Sequence, residues 1–431
     1  MYPRISDFLR EIFGIEIPLP IQSYGFFVAS AFLIGVWILI KEIKRKERQG
    51  LFYASDKKVL VGAPASAKEI IFSSLIGFLI GYKLIDAALR YSVFVANPQD
   101  FILSSSGNFI GGIIVAVISG FFTWRDKHKK RLENPKWETK KVYPHDLAGN
   151  ILVIAGIFGL LGAKLFDSLE NIDRLIADPI NTLISFSGLS FLGGLILGGI
   201  AVIWYAKKNN ISIIHLADTA AVVMPLAYAV GRIGCQVSGD GCWGVYNEAF
   251  ADPGTIPASA YQLGHVASFA PPHWLSFLPD WLWAYNYPHN IINEGILIPG
   301  CDGSAWANCH VLSAPVFPTP FYETILMTLV FIVLFSIRKK IKIPGLLFTL
   351  YFILAGFERF FIERIRVNNL YDVFGFKFTQ AEFLSTLMVV SGIIVLILLF
   401  KRKDKIIAKY GDASVAETIL IDDEKNKNEK N

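Results

Sequence analysis

The chain has 431 residues, of which 53% are hydrophobic and only 18% are charged, and its formal net charge is +5. This composition excludes an ordinary soluble domain, in which about a quarter of the residues are charged. The basic residues lie in short segments beside apolar stretches, where they orient a membrane protein, so we expect no nucleic-acid binding.

Long apolar stretches recur along the chain and predict an all-α integral membrane protein. A membrane-spanning helix needs about 20 mostly apolar residues. Residues 1–404 are expected to form one bundle, and 405–431, rich in Asp, Glu, Lys and Asn, a disordered cytoplasmic tail. Hydropathy predicts a polytopic bundle of about nine transmembrane helices near 21–40, 70–89, 107–124, 147–167, 186–206, 214–234, 320–337, 344–366 and 380–400.

The segments between these helices alternate in charge. Those after the first, third, fifth, seventh and ninth helices are rich in Lys and Arg, and the others are nearly free of both. By the positive-inside rule the basic segments lie in the cytoplasm. The N-terminus is therefore predicted outside, the C-terminus in the cytoplasm, and 235–318 in an extracytoplasmic loop region.

Part of the chain is repeated. LIGYKLIDAAL followed by ANPQDFILSSSGNFIGG is echoed by LLGAKLFDSLE followed by ADPINTLISFSGLSFLGG. The pattern predicts a duplicated two-helix hairpin over 72–124 and 153–206. Small residues at four-residue spacing, such as Gly112, Ala116 and Gly120, favour close helix packing. Lys83 near a helix end is interpreted as structural, through snorkelling or a local ion pair.

A glycine-rich turn follows the sixth predicted helix, in AYAVGRIGCQVSGDGCWG. Ionisable residues inside membrane helices are costly and usually mark a function or a buried pair. Arg232 precedes this turn, in which Gly234 and Gly244 let the backbone approach an anion. Because a guanidinium matches a phosphate in two hydrogen bonds, the turn predicts a phosphate site. An interfacial anchor arginine is the alternative.

A second polar group is predicted on the eighth helix. Arg359, Glu363 and Arg366, at positions i, i+4 and i+7, share one helix face. The seventh helix begins with PTPFYET and adds Tyr322 and Glu323 at the same level. This pattern is compatible with a site and with purely structural ion pairs.

The cysteines lie only in the segment predicted to be extracytoplasmic, a distribution that indicates an oxidising compartment. Their spacing resembles neither a zinc site with paired histidines nor a redox Cys-x-x-Cys, so no metal is expected. A bridge between Cys301 and Cys309 is predicted, and a second between Cys235 and Cys242 is considered. A nucleophilic Cys235 is the alternative.

These segments resemble the prolipoprotein diacylglyceryl transferase family. AVGRIGCQVSGDGCWG is similar to the family signature, and SGLSFLGGLILGG, HLADTAAVVMPLAYA, PTPFYE and FERFFIERIR are similar to its other segments, in the family order. The resemblance implies a multi-pass enzyme of the bacterial inner membrane that uses no cofactor and contacts membrane lipids. It would move the diacylglyceryl group of phosphatidylglycerol to the lipobox cysteine of an exported prolipoprotein and release glycerol 1-phosphate.

The resemblance also assigns roles to individual residues. Arg232 and Arg359 would bind the phosphate and stabilise the developing negative charge. Asp240 stands where the family has Glu, and Glu363 matches the acid one turn after Arg359. Tyr24 matches a tyrosine of the first span. The remaining expected substrate-binding residues are Gly234, Gly244, Tyr322, Glu323 and Arg366.

The chain departs from the family pattern at four places. Leu192 and Phe317 stand where the family has histidines, and Cys235 replaces the signature asparagine. One residue is added before Trp243. Two other functions remain open: a relative that binds lipid or transfers it to a different acceptor, and a transporter built on repeats. The candidate acceptors of the thiol proton are Asp240, Glu323 and Glu363.

Overall fold

The computed structural model describes the whole chain except residues 97, 185–189, 302–305, 369–370, 374–375 and 412–431. Helices form most of the regular structure in these described residues. In chain order they are α1 (Ile5–Phe13), α2 (Ser23–Arg48), α3 (Ala67–Leu89), α4 (Tyr91–Ala96), α5 (Pro98–Leu103), α6 (Phe109–Lys129), α7 (Ala148–Glu170), α8 (Ile172–Ala177), α9 (Pro179–Ile184), α10 (Phe191–Lys208), α11 (Ile213–Ser238), α12 (Ala258–Gln262), α13 (Thr319–Ile337), α14 (Leu346–Glu363), α15 (Gln380–Lys401) and α16 (Lys403–Tyr410).

Short strands and 3₁₀ turns, which hydropathy did not predict, connect the helices. The longest pair, β1 (Ser55–Val61) and β2 (Lys136–Val142), is antiparallel, with Ser55 opposite Val142. The other paired strands are β3 (Tyr246–Asn247) with β4 (Val266–Ala267), β5 (Ile296–Leu297) with β6 (His310–Val311), and β7 (Tyr371–Val373) with β8 (Phe376–Phe378). The 3₁₀ turns are Pro144–Leu147, Glu248–Phe250, His273–Leu275 and Asp280–Leu282.

Each of the nine predicted spans coincides with a long helix: α2, α3, α6, α7, α10, α11, α13, α14 or α15. Among the described residues, seven helices are long and apolar enough to cross a membrane, and α10 and α14 are not among them. Both have 18 residues, and α14 carries Glu358, Arg359 and Glu363. The structure is that of a polytopic helical membrane protein.

The chain divides into two compact units. The first comprises Met1–Ile17, Ile21–Tyr53 and Ile211–Asn431, and the second comprises Pro18–Pro20 and Ala54–Asn210.

The second unit contains two similar helical hairpins. In one, helices of 23, 6, 6 and 21 residues follow each other from α3 to α6. In the other, helices of 23, 6, 6 and 18 residues follow from α7 to α10. A Cβ on Gly81 would lie 2.6 Å from the Gly111 carbonyl oxygen, and one on Gly162 would lie 2.3 Å from that of Gly193. Both hairpins therefore cross closely at glycines that occupy equivalent sequence positions.

Lys83 binds backbone carbonyls in its own hairpin. Its ammonium donates to the carbonyl oxygens of Phe101 at 2.9 Å and of Ser106 at 2.7 Å. Asp86 instead pairs with Arg90 one turn later. These contacts agree with the structural interpretation of Lys83. Its ammonium binds the connection between α3 and α6 instead of forming an ion pair with a neighbouring acid.

In the first unit, α11 packs against α2, α13 and α14, and α14 packs against α15. Apolar side chains form the core of this bundle, and its buried members are Ile38, Ala221, Val222, Leu334 and Leu347. Asp218 of α11 also holds the start of α14, since its carboxylate accepts from the backbone N–H of Gly345 at 2.9 Å and of Phe348 at 3.0 Å.

The first residues of the predicted tail are helical. Residues 405–410, expected to be disordered, belong to α16. A ring nitrogen of His215 lies 2.7 Å from the carbonyl oxygen of Tyr410, which anchors the end of this helix to α11. The rest of the predicted tail from 412 lies outside the described residues.

The long segment after α11 has a small core of its own. Trp243, Tyr287, Leu312 and Val316 are buried together, with Tyr287 completely inaccessible. Other aromatic side chains of this segment stay exposed, Trp274 at 72% and Phe277 at 78%. Some aromatic side chains of this segment are therefore packed in its core, and others are exposed.

Candidate active site

Glu323 joins the ends of three helices in the first unit. It lies in the first turns of α13, and its side chain is completely buried. Arg232, near the end of α11, forms an ion pair with Glu323, with Nε 2.8 Å from Oε2. A carboxylate without solvent needs such charged partners, and the pair fixes the guanidinium against α13.

Two further arginines reach the same carboxylate. Arg359 of α14 places Nη1 3.6 Å from Glu323 Oε1, and Arg366 donates through Nη1 to that oxygen at 3.2 Å. The prediction that Arg366 lies on the eighth helix is wrong, because α14 ends at Glu363 and the chain turns. The predicted convergence is nevertheless present, with Glu323 at its centre.

Glu363 orients Arg359 from the opposite side. Its Oε2 lies 2.8 Å from Arg359 Nη2, and its Oε1 accepts from the Asn368 side chain at 2.6 Å. A polar cavity of about 200 Å³ opens beside Arg359 and Glu363 and is also lined by Asn368, Tyr371 and Thr379. Arg359, whose side chain is 30% exposed, is thus accessible to a ligand.

Tyr228 belongs to the cluster although the sequence analysis did not single it out. Its hydroxyl donates to Glu323 Oε1 at 3.0 Å, and the Arg232 guanidinium lies 5.1 Å from its ring centroid. The position was detectable, because Tyr228 precedes Arg232 by four residues and so shares its helix face.

The glycine-rich turn lies next to this cluster. Helix α11 ends at Ser238, and Gly239 and Gly241 adopt positive φ angles of 64° and 86°. These left-handed residues flank Asp240 and reverse the chain. Asp240 accepts from the Cys242 N–H at 3.2 Å, so the turn directs Cys242 back towards α11.

The arrangement of arginines, acids and glycine turn can be compared with known proteins. The profile of the prolipoprotein diacylglyceryl transferase family matches residues 10–138 and 112–398. The chain belongs to that family. The resemblance seen in the sequence is confirmed.

Relatives with the name phosphatidylglycerol–prolipoprotein diacylglyceryl transferase share about a quarter of their residues with this chain. The protein from Treponema denticola is 27% identical over 293 residues, which cover 61% of this chain and 80% of the relative. That from Leptospira interrogans is 27% identical over 284 residues, 59% and 71% of the two chains. That from Clostridioides difficile is 28% identical over 255 residues, 59% and 78%.

The end of α11 and the glycine-rich turn after it, which match the family signature and are called the signature turn below, carry two thiols in this chain. The structure contains the predicted disulfide between Cys301 and Cys309, with Cα atoms 5.6 Å apart. In the described part of the chain Cys235 and Cys242 are not bridged, so the second predicted disulfide is wrong. Cys235 also lies inside the last turn of α11 and not in a loop.

The two thiols are neighbours, with their Sγ atoms within 4.8 Å of each other. The nearby Cys235 thiol lowers the pKa of the Cys242 thiol. Arg232 donates through Nη1 to Cys235 Sγ at 3.7 Å. The thiol pair therefore borders the arginine cluster.

Tyr24 and Gly234 lie where α2 and α11 touch. A Cβ on Gly234 would lie 3.0 Å from Phe27 Cβ and 3.3 Å from the Tyr24 carbonyl oxygen. Tyr24 is within electrostatic range of Cys235, Asp240 and Arg232. Gly234 thus permits the helix contact that brings Tyr24 towards the site.

Gly244 and Tyr322 have mainly structural contacts. Gly244 pairs with Arg366 in a β-bridge, and a Cβ there would lie 2.4 Å from the Ile365 carbonyl oxygen. The Tyr322 hydroxyl donates to the Leu282 carbonyl oxygen in the long segment after α11. Gly244 therefore positions the backbone of Arg366, whereas the Tyr322 hydroxyl is held by the long segment after α11.

Proposed function

We propose that this chain transfers the diacylglyceryl group of phosphatidylglycerol to the lipobox cysteine thiol in the signal peptide of an exported prolipoprotein and releases glycerol 1-phosphate. The observation that carries the proposal is the convergence of Arg232, Arg359 and Arg366 on one buried carboxylate. Membership of a transferase family supports it.

The arginines retain donors for a phosphate. A guanidinium has five N–H groups, and Glu323 engages only part of them. Arg232 contacts Glu323 through Nε and Cys235 through Nη1. The remaining N–H groups of Arg232 and Arg359 are proposed to hold the lipid phosphate and to stabilise the dianion that forms as glycerol 1-phosphate leaves.

The acids divide between two roles. Glu323 and Glu363 are occupied by arginines, and we assign them to positioning those arginines for the substrate. None of the described ion pairs joins Asp240 to an arginine. Asp240 lies instead beside the thiols of Cys235 and Cys242. We therefore propose Asp240 as the acid nearest to the acceptor thiol.

The enzyme is proposed to cross the bacterial inner membrane nine times, with the N-terminus outside and the C-terminus in the cytoplasm. The alternation of basic and basic-poor connections supports this topology. It places the arginine cluster and 235–318 on the extracytoplasmic side, where exported prolipoproteins arrive, and makes 1–404 the catalytic bundle.

The two hairpins of the second unit are proposed to be a duplication over 72–124 and 153–206. Their matching helix lengths and glycine contacts support it. The family profile matches in two overlapping segments, the result expected when a segment is present twice.

The deciding experiment is complementation of a strain depleted of its own transferase, together with an assay of the purified protein. With phosphatidylglycerol vesicles and a lipobox peptide, we expect a diacylglyceryl thioether on the peptide cysteine and an equal amount of glycerol 1-phosphate. A peptide with serine in place of that cysteine is the matched control. Absence of both rescue and thioether would reject the proposed activity and favour a lipid-binding relative.

A further inference from the structure

Three potential metal ligands converge in the signature turn. The Sγ atoms of Cys235 and Cys242 and a carboxylate oxygen of Asp240 lie within 4.8 Å of one another. Cys235 is buried, and the other two residues are partly buried. Sequence spacing did not suggest a metal, because Cys235 belongs to a helix and Cys242 to the segment beyond it.

The separations suit a thiophilic cation. A zinc–sulfur bond of about 2.3 Å separates two sulfur ligands of a tetrahedral site by roughly 3.8 Å. The three ligand atoms need to move by no more than about 1 Å to reach that distance. Thiolates with a carboxylate are a ligand set that zinc accepts, and three protein ligands leave a fourth position open.

The backbone holds these ligands in place. Gly239 and Gly241, both with positive φ, fold Cys242 towards Cys235. The Thr319 hydroxyl, at the start of α13, donates to the Cys242 carbonyl oxygen at 2.8 Å. The turn is therefore fixed at both ends, which is the preorganisation that a metal site requires.

The neighbouring charge balances the ligands. Two thiolates and one carboxylate around a divalent cation have a net charge of −1, and an additional thiolate would make it −2. Arg232 lies 3.7 Å from Cys235 Sγ and donates to it, so it stabilises the anionic sulfur. Its guanidinium also links this group to the phosphate site proposed above.

We infer that Cys235, Asp240 and Cys242 bind a divalent zinc-like cation whose open fourth position takes the thiol of the acceptor cysteine. This inference rests on the proposed function for the identity of the acceptor. It supplies a means of activating the thiol in a chain where Leu192 and Phe317 stand at the family's histidine positions.

The reaction balances as a substitution at carbon. The acceptor thiol loses its proton to water on binding the cation and becomes a thiolate. The thiolate attacks the carbon of the diacylglyceryl group that is bonded to the phosphate oxygen, forming a C–S bond while that C–O bond breaks. Glycerol 1-phosphate leaves with that electron pair, and its second negative charge faces the arginines. No oxidant or reductant is needed.

The test uses the full chain purified in detergent, freed of metal by a chelator and titrated with Co²⁺ alone. We expect one cobalt ion per chain, with the absorption bands of thiolate-to-cobalt charge transfer, and displacement by Zn²⁺. Cys242→Ser and Asp240→Asn should weaken cobalt binding by more than about 100-fold, since even outer-shell partners contribute roughly 10–100-fold. The double variant Cys301→Ser/Cys309→Ser is the matched control and should keep the bands.

Three results would overturn the site: no thiolate bands in the wild-type chain, a Cys235–Cys242 disulfide in protein taken from membranes, or unchanged binding in both ligand variants. Melting temperatures show whether each variant is folded. If cobalt binds but zinc does not raise thioether formation by the metal-free enzyme, the thiol-activating role is rejected. If no form of the protein makes the thioether, the proposed function fails, and the cobalt spectrum still decides the metal site.

Discussion

Arg232 Nε lies 2.8 Å from Glu323 Oε2, and this pair connects the last turns of α11 to the first turns of α13. Glu323 has no solvent exposure, so its charge depends on the guanidinium groups around it. The same carboxylate also contacts Arg359 and Arg366. One buried acid therefore sets the positions of all the arginines proposed to bind phosphate.

Glu323→Gln should lower transfer strongly, because an amide of the same shape cannot balance the arginines. We expect a decrease in kcat/KM on the order of 100-fold or more, comparable to losing a charged hydrogen bond to the transition state. Glu323→Asp, which keeps the charge, should retain part of the wild-type kcat/KM. Steady-state assays with the lipobox peptide measure both. Equal activity of the Gln variant and the wild type would show that the arginines hold their positions without this acid.

Arg232→Lys and Arg359→Lys should each lose most activity although the charge is kept, because an ammonium cannot form the planar two-bond contact with phosphate. A loss of about 2.7–4 kcal/mol corresponds to at least roughly 100-fold in rate. Turnover of purified variants at matched folded amounts is the measurement.

Arg364→Lys is the control for the variants Arg232→Lys and Arg359→Lys. Arg364 follows Glu363 directly, but its side chain is 64% exposed and pairs with Glu382 of α15 at 3.0 Å. Lysine keeps the charge of this exposed side chain, so the activity of Arg364→Lys should stay near normal. A similar loss in Arg364→Lys would indicate general damage at the end of α14, and near-normal turnover in both site variants would refute the shared phosphate contact.

Asp218→Ala should destabilise the first unit. Asp218 is 5% exposed, holds two backbone N–H groups of α14 and lies 3.8 Å from Lys46 Nζ. Removing one member of a buried charge pair costs about 3–5 kcal/mol, so the melting temperature in detergent should fall clearly. The melting temperature of Asp218→Asn should fall less, because the amide oxygen still accepts one hydrogen bond. Asp126→Asn breaks an exposed pair and should leave the melting temperature unchanged.

The Cys301–Cys309 disulfide should be detectable by mass. Alkylation of the denatured protein without reductant should modify two thiols, Cys235 and Cys242, and alkylation after reduction should modify four. Intact-protein mass spectrometry distinguishes these states. Four reactive thiols in unreduced protein from native membranes would exclude the bridge.

Membrane-impermeant thiol reagents test the topology. Ser276 and Thr139 are both exposed side chains, the first in the proposed extracytoplasmic loop region and the second in β2. In intact cells Ser276→Cys should add labelling above the parent chain, and Thr139→Cys should add it only after the membrane is opened. The reverse pattern would contradict the nine-span topology.

The sequence by itself determined the class of fold and the positions of the long helices. A bilayer leaves few ways to place 20 apolar residues, so hydropathy located the nine long helices of the described residues. For most helix ends the predicted bound lies within a few residues of the observed one. Local chemistry also predicted Arg232, Arg359 and Glu363 as site residues, because ionisable groups within apolar helices are costly and usually mark a function or a buried pair. The Cys301–Cys309 bridge followed from compartment and short separation.

Only the tertiary structure decided which groups meet. Glu323 became the centre of the candidate site because α11 and α14 end where α13 begins, a relation between distant segments that no local pattern contains. The end of α14 before Arg366 and the helix through Tyr410 depend on contacts with Gly244 and His215, far away in sequence. The meeting of Cys235, Asp240 and Cys242 depends on two positive-φ glycines that reverse the chain. Spacing along a chain predicts neighbours on one helix face, but a turn's dihedral angles decide what lies beyond its end.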